Sequence, residues 1–241
     1  MSRPGDPLAF EDLVEDYDAA RPHYPQALYD GLGPLGTCLE LGAGTGIASV
    51  ELVTRADRLV VSDLGPRMLA KGLPKHHSPA VVCRAEALPF ADGSFDTVCG
   101  AQMWHWVDKP AGPLEVARVL TSRGRLLLWW NESDADGQPW WDAQQDRIEA
   151  GNPLYDRAYR EVDYNAQLCE WFSTQEPALL RWSRTISLEL YDRWLRSKSY
   201  VQKLPDVDAF VAASLDDLRA VFADGQVVEP FVTRLWRFER R

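Results

Sequence analysis

The sequence predicts an α/β fold built around a mostly parallel sheet with helices on both faces. Short apolar runs alternate with segments of helical period between Thr37 and Trp130, which is typical of βαβ units. These runs are apolar throughout, as strands buried on both faces should be. A length of 241 residues suits one large domain, or one domain with an added subdomain. We therefore expect a single domain over residues 1–241.

Strands and helices are predicted in alternation along the first half of the chain. Each strand is a short apolar run bounded by turn residues, and each helix has apolar residues at helical spacing. The strands are expected at 37–41, 58–62, 80–83, 95–100 and 125–130, and the helices at 47–55, 66–71 and 114–120.

The second half is predicted to close the sheet. Residues 181–190 and 227–238 alternate with period two, which favours antiparallel strands at a sheet edge. Residues 207–222 between them have helical period. Glycines and prolines punctuate the Trp- and Tyr-rich stretch 132–180, which we interpret as a helical insert. The first thirty residues are interpreted as one or two helices laid over the domain.

The charge balance disfavours a nucleic-acid partner. The chain carries 26 Lys and Arg against 36 Asp and Glu, whereas a protein that neutralises a phosphate backbone needs a basic surface. Residues 1–10 are polar and contain Pro4 and Pro7, which argues against a signal peptide, and no apolar run is long enough to span a bilayer. We expect a soluble cytoplasmic protein without a membrane partner, and the sequence leaves its oligomeric state open.

The cysteines and histidines do not suggest a metal centre. Cys38, Cys83 and Cys99 lie in apolar runs without CxxC spacing, so they are expected to be small core residues in a reducing compartment. His76 and His77 have no cysteine or carboxylate at ligand spacing. We therefore expect no metal.

The strongest signal is the segment E-L-G-A-G-T-G at 40–46, between the first predicted strand and the first predicted helix. A dinucleotide fingerprint would need glycine or alanine at Ile47 or Ser49, and a P-loop would need lysine after Gly46. Glu40 would repel a pyrophosphate but attract an ammonium or a sulfonium. The loop therefore favours a cationic ligand without phosphates, such as S-adenosylmethionine.

Two further acids follow the next predicted strands. Asp63 comes after the second strand, at the position where a carboxylate hydrogen-bonds ribose hydroxyls. Glu86 comes after the third strand and could meet an adenine edge. Either carboxylate alone could simply be a solvent-exposed residue at the end of a strand. Together with Glu40, they place acids after three successive strands, which favours one nucleoside site.

Four motifs in order resemble the class I S-adenosylmethionine-dependent methyltransferases. They are the glycine segment, V-S-D-L-G-P-R-M-L at 61–69, A-E-A-L-P-F-A-D-G-S-F-D at 85–96 and R-V-L at 118–120, and the resemblance covers roughly residues 10–132. Y-D-A-A-R-P-H-Y-P at 17–25 and H-W-V-D at 105–108 are similar to the small-molecule group that includes trans-aconitate methyltransferase-like proteins.

The resemblance implies a Rossmann-like, seven-stranded, mostly parallel sheet whose last strand is antiparallel. The cofactor would lie over the carboxyl ends of the first strands. Within a single domain, residues 1–30 would form an N-terminal lid and 31–131 the cofactor-binding half. Residues 132–180 would form a substrate-side insert, and 181–241 would close the sheet.

The resemblance also implies the contacts of the cofactor. Asp63 would take the ribose hydroxyls, and Leu64 would pack on the adenine ring. Arg84 stands where the family often has an acid, so the adenine-edge contact would depend on Glu86 or on backbone groups. The residues implied in cofactor binding in this half are Glu40, Gly42, Ala43, Gly44, Gly46, Asp63, Leu64, Ala85, Glu86 and Gln102.

Two N-terminal residues are candidates for the methionine carboxylate. Tyr17 or Arg21 could reach it through a charge-assisted bond if the first segment closes as a lid, and the resemblance favours Tyr17, because related proteins often have an N-terminal tyrosine in this contact. Arg21 could instead pair with Asp18 or Glu15. Tyr24, in the same segment, is a candidate substrate contact.

Candidate catalytic residues follow the fourth and fifth predicted strands. His105 could act as a general base or donate to a substrate oxygen, or it could be a packed structural residue. Asn131 could orient the substrate or cap the following turn. Trp104 is expected as a pocket wall. One arginine of the second half could clamp an acidic substrate; the candidates are Arg157, Arg160, Arg181 and Arg184.

The favoured function is methyl transfer from S-adenosylmethionine to a small molecule, at a carboxylate or hydroxyl oxygen, with S-adenosylhomocysteine as product. A dry apolar pocket would help, because opposite charges cancel in the transition state. Two alternatives stay open at this point. One is a non-methylating reaction of the cofactor, such as its cyclisation or a natural-product rearrangement. The other is a non-catalytic protein that binds the cofactor.

Overall fold

The computed structural model describes residues 18–157 and 162–241. The described residues form two compact units. The larger unit comprises His23–Asn131, Asp163–Leu180 and Thr233–Arg241, and the smaller unit comprises the remaining described residues. The segment 163–180, expected within the insert, thus groups with the larger unit.

Helices and strands alternate along the chain as the apolar pattern predicts. The strands are β1 Thr37–Leu41, β2 Arg58–Asp63, β3 Ala80–Val82, β4 Phe95–Ala101, β5 Leu120–Ser133, β6 Phe172–Ser173, β7 Ala178–Ser187 and β8 Gln226–Arg240. The helices are α1 Gln26–Asp30, α2 Ser49–Leu52, α3 Pro66–His76, α4 Ala111–Val119, α5 Pro139–Gly151, α6 Tyr164–Leu168, α7 Leu188–Arg196 and α8 Val207–Val221. A short 3₁₀ helix spans Trp104–Trp106.

The sheet confirms the predicted α/β class. Seven strands run in the order β3-β2-β1-β4-β5-β8-β6, and β7 pairs with β8 beside this path. The neighbours from β3 to β5 are parallel, whereas β6 and β8 are antiparallel. Leu41 lies opposite both Ser62 and Gly100, and Ala101 lies opposite Trp129. The segments that follow β1, β2 and β4 therefore emerge at one edge of the sheet.

One predicted strand is partly wrong. The alternation at 181–190 continues through L-E-L, but β7 ends at Ser187 and α7 begins at Leu188. The Ser187 side chain accepts a hydrogen bond from the backbone N–H of Leu190, which is an N-cap that starts a helix. A short alternation of apolar and polar residues fits either a strand or a helix, and the N-cap at Ser187 determines that the helix forms.

Buried cysteines contribute to the core of the larger unit. Cys38 on β1 and Cys99 on β4 are fully buried, with their Sγ atoms 3.7 Å apart. Burial and the neighbouring Cys38 raise the pKa of the Cys99 thiol, so it stays protonated. Cys83 is half-buried and Cys169 is exposed, and all four are free thiols. Cys38 and Cys99 thus act as small core residues.

The core of the smaller unit is strongly aromatic. On α7, Tyr191, Trp194 and Leu195 are buried, and their i, i+3, i+4 spacing puts them on one face of the helix. Trp140 at the start of α5 meets the Tyr191 ring edge-on, with ring centroids 6.3 Å apart. Large rings supply much of the area that this unit buries.

Candidate cofactor site

The glycine loop leaves the carboxyl end of β1 in a backbone conformation that favours glycine. Gly42, Gly44 and Gly46 have φ values of +63°, +56° and +80°. At Gly42 a Cβ atom would lie only 2.7 Å from the Cβ of Met103. A side chain at position 42 would therefore collide with Met103, and the positive φ adds to the requirement for glycine.

Asp63 fastens this loop to the end of β2. Its Oδ2 accepts a hydrogen bond from the backbone N–H of Gly44 at 2.8 Å, and its Oδ1 accepts one from Gly65 at 2.8 Å. A carboxylate offers about four acceptor positions, and each of these two backbone bonds uses one of them. Asp63, which the sequence predicts to contact the ligand, therefore also holds the glycine loop in place.

Glu40 is a buried carboxyl group near the end of β1. Its residue is 1% exposed, and its Oε2 accepts a hydrogen bond from Ser49 Oγ at 2.6 Å. Burial raises the pKa of Glu40 to about 7, an effect that the Ser49 bond opposes and the Asp63 carboxylate reinforces. The group is therefore poised between its neutral and charged forms near neutral pH.

Helix α3 packs closely on the glycine loop through residues that the sequence analysis did not single out. A Cβ atom at Gly72 would lie 2.9 Å from the backbone carbonyl carbon of Thr45. Lys75 Nζ donates a hydrogen bond to the Thr45 carbonyl at 2.9 Å. An isolated glycine within a helical pattern is a signal for such close packing.

Glu86 lies after β3 but is engaged with protein groups. Its Oε1 accepts a hydrogen bond from the backbone N–H of Asp108 at 2.6 Å, and its Oε2 lies 3.7 Å from Arg84 Nε. Glu86 therefore joins the turn after β3 to the segment after the 3₁₀ helix. Ala85 beside it and Leu64 after β2 are half-buried.

Gln102 and Asn131 form a connected group at the ends of β4 and β5. Gln102 has φ +58°, a strained value for a residue other than glycine, and its Nε2 donates to the Asn131 carbonyl at 3.2 Å. Asn131 Nδ2 donates to the His23 carbonyl at 3.0 Å, and Asn131 Oδ1 accepts from Thr233 Oγ1 at 2.6 Å. The Asn131 amide thus holds the segment that precedes α1.

His105 and Trp104 differ in exposure although they are neighbours. The His105 side chain is open to solvent, yet surrounding protein lowers its pKa, and Lys109 lowers it further. The lowered pKa leaves the imidazole neutral at pH 7. Trp104 is fully buried, and its Nε1 has no hydrogen-bond partner among the described residues.

The N-terminal candidates are placed differently from one another. Arg21, in the smaller unit, donates from Nη2 to the Ser197 carbonyl at 2.9 Å. Tyr24, in the larger unit, packs edge-on against Trp129 with ring centroids 5.9 Å apart. Tyr17 lies outside the described residues.

The structure brings Glu40, the glycine loop and Asp63 together at one edge of the sheet. No three His, Cys, Asp or Glu side chains of the described chain are grouped so that they could hold a metal ion. Within residues 18–157 and 162–241, no helix has both the length and the apolar character required to cross a bilayer.

The chain is similar to known methyltransferases. The family model described as a methyltransferase domain matches residues 39–128 of this chain. An uncharacterized methyltransferase of Mycobacterium tuberculosis is 35% identical over 200 residues, which cover 80% of this chain and 77% of that protein. An uncharacterized methyltransferase-like protein of Schizosaccharomyces pombe is 30% identical over 237 residues, covering 90% and 88%. A solved type II methyltransferase structure from Anaeromyxobacter dehalogenans has a TM-score of 0.71 at 22% identity, covering 92% of this chain and 97% of that chain.

These similarities show that the chain belongs to the methyltransferase family. It is an S-adenosylmethionine-dependent methyltransferase of class I, and S-adenosylmethionine is its cofactor. The glycine loop and its two carboxylates fit this ligand, which carries a positive charge and a ribose diol but no phosphate.

Asp63→Asn should weaken cofactor binding at least tenfold. The amide would present one N–H₂ group toward the backbone donors of Gly44 or Gly65, so the loop would lose a brace and the ribose an acceptor. Titration calorimetry with S-adenosylhomocysteine measures this change. Asp57→Asn, at an exposed acid, is the matched control and should bind normally. Equal affinity in both variants would show that Asp63 is not needed.

The buried Glu40 carboxyl group should make folding stability depend on pH. Between the ordinary pKa of 4.5 and about 7, the folded protein holds a proton that the unfolded chain releases. The free energy of unfolding should therefore fall by about 3 kcal/mol as pH rises through this window. Denaturant unfolding at pH 5 and pH 8 tests this.

In Glu40→Gln this contribution should disappear, because the amide does not titrate and can still accept the Ser49 bond. Glu189→Gln, at an exposed acid, should keep the pH dependence of the wild type. The same fall in stability in all three proteins would contradict the assignment to Glu40.

Proposed function

We propose that this enzyme transfers the methyl group of S-adenosylmethionine to an oxygen atom of a small molecule. The observation that carries the proposal is the position of Glu40 and Asp63, two carboxylates beside a glycine loop without phosphate-binding residues. Such a site attracts a sulfonium or an ammonium and disfavours a pyrophosphate.

An oxygen acceptor is supported by unpaired donors near the same sheet edge. Trp104 and Trp129 are fully buried, and neither indole N–H has a partner among the described residues. An indole nitrogen can donate but not accept, so it suits an oxygen lone pair and not an ammonium group. A carboxylate or a hydroxyl of the acceptor would match these donors.

With the exception of Glu86, the residues proposed to hold the cofactor keep the roles predicted from the sequence. Asp63 accepts from the ribose hydroxyls, Leu64 contacts adenine, and Glu40 faces the positive end of the ligand. Glu86 acts by positioning its turn, because its carboxylate already binds Asp108. The remaining proposed contacts are Tyr17, Arg21, Gly42, Ala43, Gly44, Gly46, Ala85 and Gln102 for the cofactor, and Tyr24 and Trp104 for the acceptor.

The chemistry supplied by the bound cofactor is an electrophilic methyl group on a sulfonium. The protein aligns the acceptor oxygen with that carbon and keeps water out, because the charges of an anionic oxygen and the sulfonium cancel in the transition state. His105 is neutral at pH 7 and can therefore take a proton from a hydroxyl acceptor at its free ring nitrogen. Asn131 positions the segment around Tyr24 through the His23 carbonyl.

The proposal also includes the class of substrate, the location of the protein and its subgroup within the family. The net charge of −10 favours a small molecule over a nucleic acid as substrate. The free cysteines accord with the proposed cytoplasmic location. Membership in the trans-aconitate methyltransferase-like group, and the single-domain organisation predicted from the sequence, are part of the same proposal. Phenol, hydroxyl and carboxylate acceptors all fit an oxygen-directed site.

The pH dependence of binding tests the role of Glu40. Because a cation prefers the ionised form, S-adenosylmethionine should bind about tenfold more tightly at pH 8 than at pH 6, given the Glu40 pKa of about 7. This gain should vanish in Glu40→Gln. S-adenosylhomocysteine keeps the ammonium group but lacks the sulfonium. If its affinity also rises with pH, Glu40 faces the ammonium; if its affinity does not change, Glu40 faces the sulfonium. An unchanged profile in Glu40→Gln would contradict the role.

Product analysis tests the reaction itself. Incubation with methyl-labelled cofactor and a metabolite extract should give S-adenosylhomocysteine and a labelled oxygen-methylated product by mass spectrometry. Methylthioadenosine would instead indicate attack at another carbon of the sulfonium.

His105→Asn should slow methylation of a hydroxyl acceptor by about 10²-fold or more, the usual contribution of a general base. His77→Asn, at an exposed histidine, should retain full activity.

A further inference from the structure

The Met103 side chain lies between two glycines at the carboxyl edge of the sheet. A Cβ atom at Gly100, on β4, would lie 2.8 Å from Met103 Sδ and 3.1 Å from Met103 Cγ. A Cβ atom at Gly42, in the glycine loop, would lie 2.9 Å from the same Cγ and 3.6 Å from Met103 Cε. Nonbonded carbon atoms are ordinarily about 3.5–4 Å apart. The methionine therefore fills the space that both glycines leave, and its Cγ lies close to each of them.

The sheet brings these two glycines side by side. In the parallel pair of β1 and β4, Leu41 lies opposite Gly100, and Gly42 follows Leu41 directly. β1 itself lies between β2 and β4 in the sheet. The glycine loop is thus held from two sides, because Asp63 reaches it from the end of β2 and Met103 reaches it from the end of β4.

The backbone on both sides of Met103 is fixed by hydrogen bonds. Before it, the Gln102 N–H donates to the Trp129 carbonyl at 2.9 Å, and Gln102 Nε2 donates to the Asn131 carbonyl at 3.2 Å. After it, the Met103 carbonyl accepts from the backbone N–H of Trp106 at 2.9 Å. These bonds keep the Met103 backbone in place, so its side chain is a fixed neighbour of the loop.

We propose that Met103 is a positioning residue of the cofactor site, which holds the glycine loop in the conformation that binds S-adenosylmethionine. This inference depends on the proposal that the loop holds the cofactor. Met103 acts through Gly42 and is assigned no contact with the cofactor itself.

The physical reason is the conformational freedom of the loop. Glycines lose more of this freedom than other residues when a ligand orders them, and that loss weakens binding. A contact that restricts the loop before the ligand arrives reduces the loss and raises the affinity. An unbranched, flexible thioether suits this task, because it can follow the irregular gap between Gly42 and Gly100.

Titration calorimetry with S-adenosylhomocysteine tests the proposal through a change of size at Gly100. The φ angle of Gly100 lies outside the left-handed region, so its backbone can accept alanine. In Gly100→Ala the new methyl group would collide with Met103 Sδ and push the side chain against Gly42. Affinity should fall about tenfold, which is within the range of coupling between residues in contact. Wild-type affinity in Gly100→Ala would overturn the proposal.

A second substitution tests whether this loss passes through Met103. Met103→Ala removes the contact with the loop and should by itself weaken binding about tenfold. In the double variant the methyl group at position 100 has room, so Gly100→Ala should cause no further loss when it is combined with Met103→Ala. Losses that multiply in the double variant, or wild-type affinity in Met103→Ala, would overturn the proposal.

Gly124→Ala is the matched control for crowding within the sheet. Gly124 precedes Arg125, which pairs with Thr97 towards the amino end of β4, and a Cβ atom there would lie 2.9 Å from Leu120 Cδ2. This variant should have a lower unfolding temperature and an unchanged affinity. An equal loss of affinity in Gly124→Ala and Gly100→Ala would overturn the proposal, because crowding anywhere in the sheet would then be sufficient.

The Asp63→Asn titration separates this inference from the cofactor assignment. A loss of affinity in Asp63→Asn without one in Gly100→Ala or Met103→Ala would keep the loop as the cofactor site and refute the role of Met103. Unchanged affinity in all three variants would refute both proposals. If Gly100→Ala does not fold, the comparison of Met103→Ala with Gly124→Ala decides, and only a loss confined to Met103→Ala supports the inference.

Discussion

The cofactor site depends on the two hydrogen bonds that the Asp63 carboxylate accepts. The parallel register of β1 and β2 brings the glycine loop and the Gly65 turn to the same edge of the sheet. A register alone does not fix the loops, because their backbone N–H groups need partners. Asp63 supplies one oxygen to Gly44 and the other to Gly65. The sheet and this one side chain together determine the positions of the glycine loop and the Gly65 turn.

Glu40 adds a preference for charge to this geometry. A buried carboxylate is unfavourable until a cation offsets it, which is why the pKa of Glu40 is raised to about 7. Ser49 provides a hydrogen bond but no positive charge. This is the basis of our proposal that Glu40 faces the positive end of the cofactor, because a cation would stabilise the ionised carboxylate.

The sequence predicts the first strands of the sheet well because they are short apolar runs. β1 and β2 lie at the predicted positions within one residue. The sequence predicts the roles of polar residues less well. Motif spacing places a side chain at the end of a strand, but it does not identify the group to which that side chain hydrogen-bonds. Asn131 and Glu86 lie where expected, yet both bind backbone groups of the protein. Gly72 and its contact with the glycine loop were missed, although a lone glycine in a helical segment is a readable signal.

The smaller unit shows why polar residues in an aromatic region are hard to interpret from sequence. Successive helix residues point about 100° apart, so Gln144 and Gln145 can both be buried only if α5 is covered on two sides. Tyr191 and Tyr155 provide that cover. In the sequence, the two glutamines interrupt the apolar stripe between Trp141 and Ile148 and resemble a solvated face. An apolar residue at either position would remove the acceptor of a tyrosine hydroxyl, so the hydrogen bonds from Tyr191 and Tyr155 account for the two glutamines.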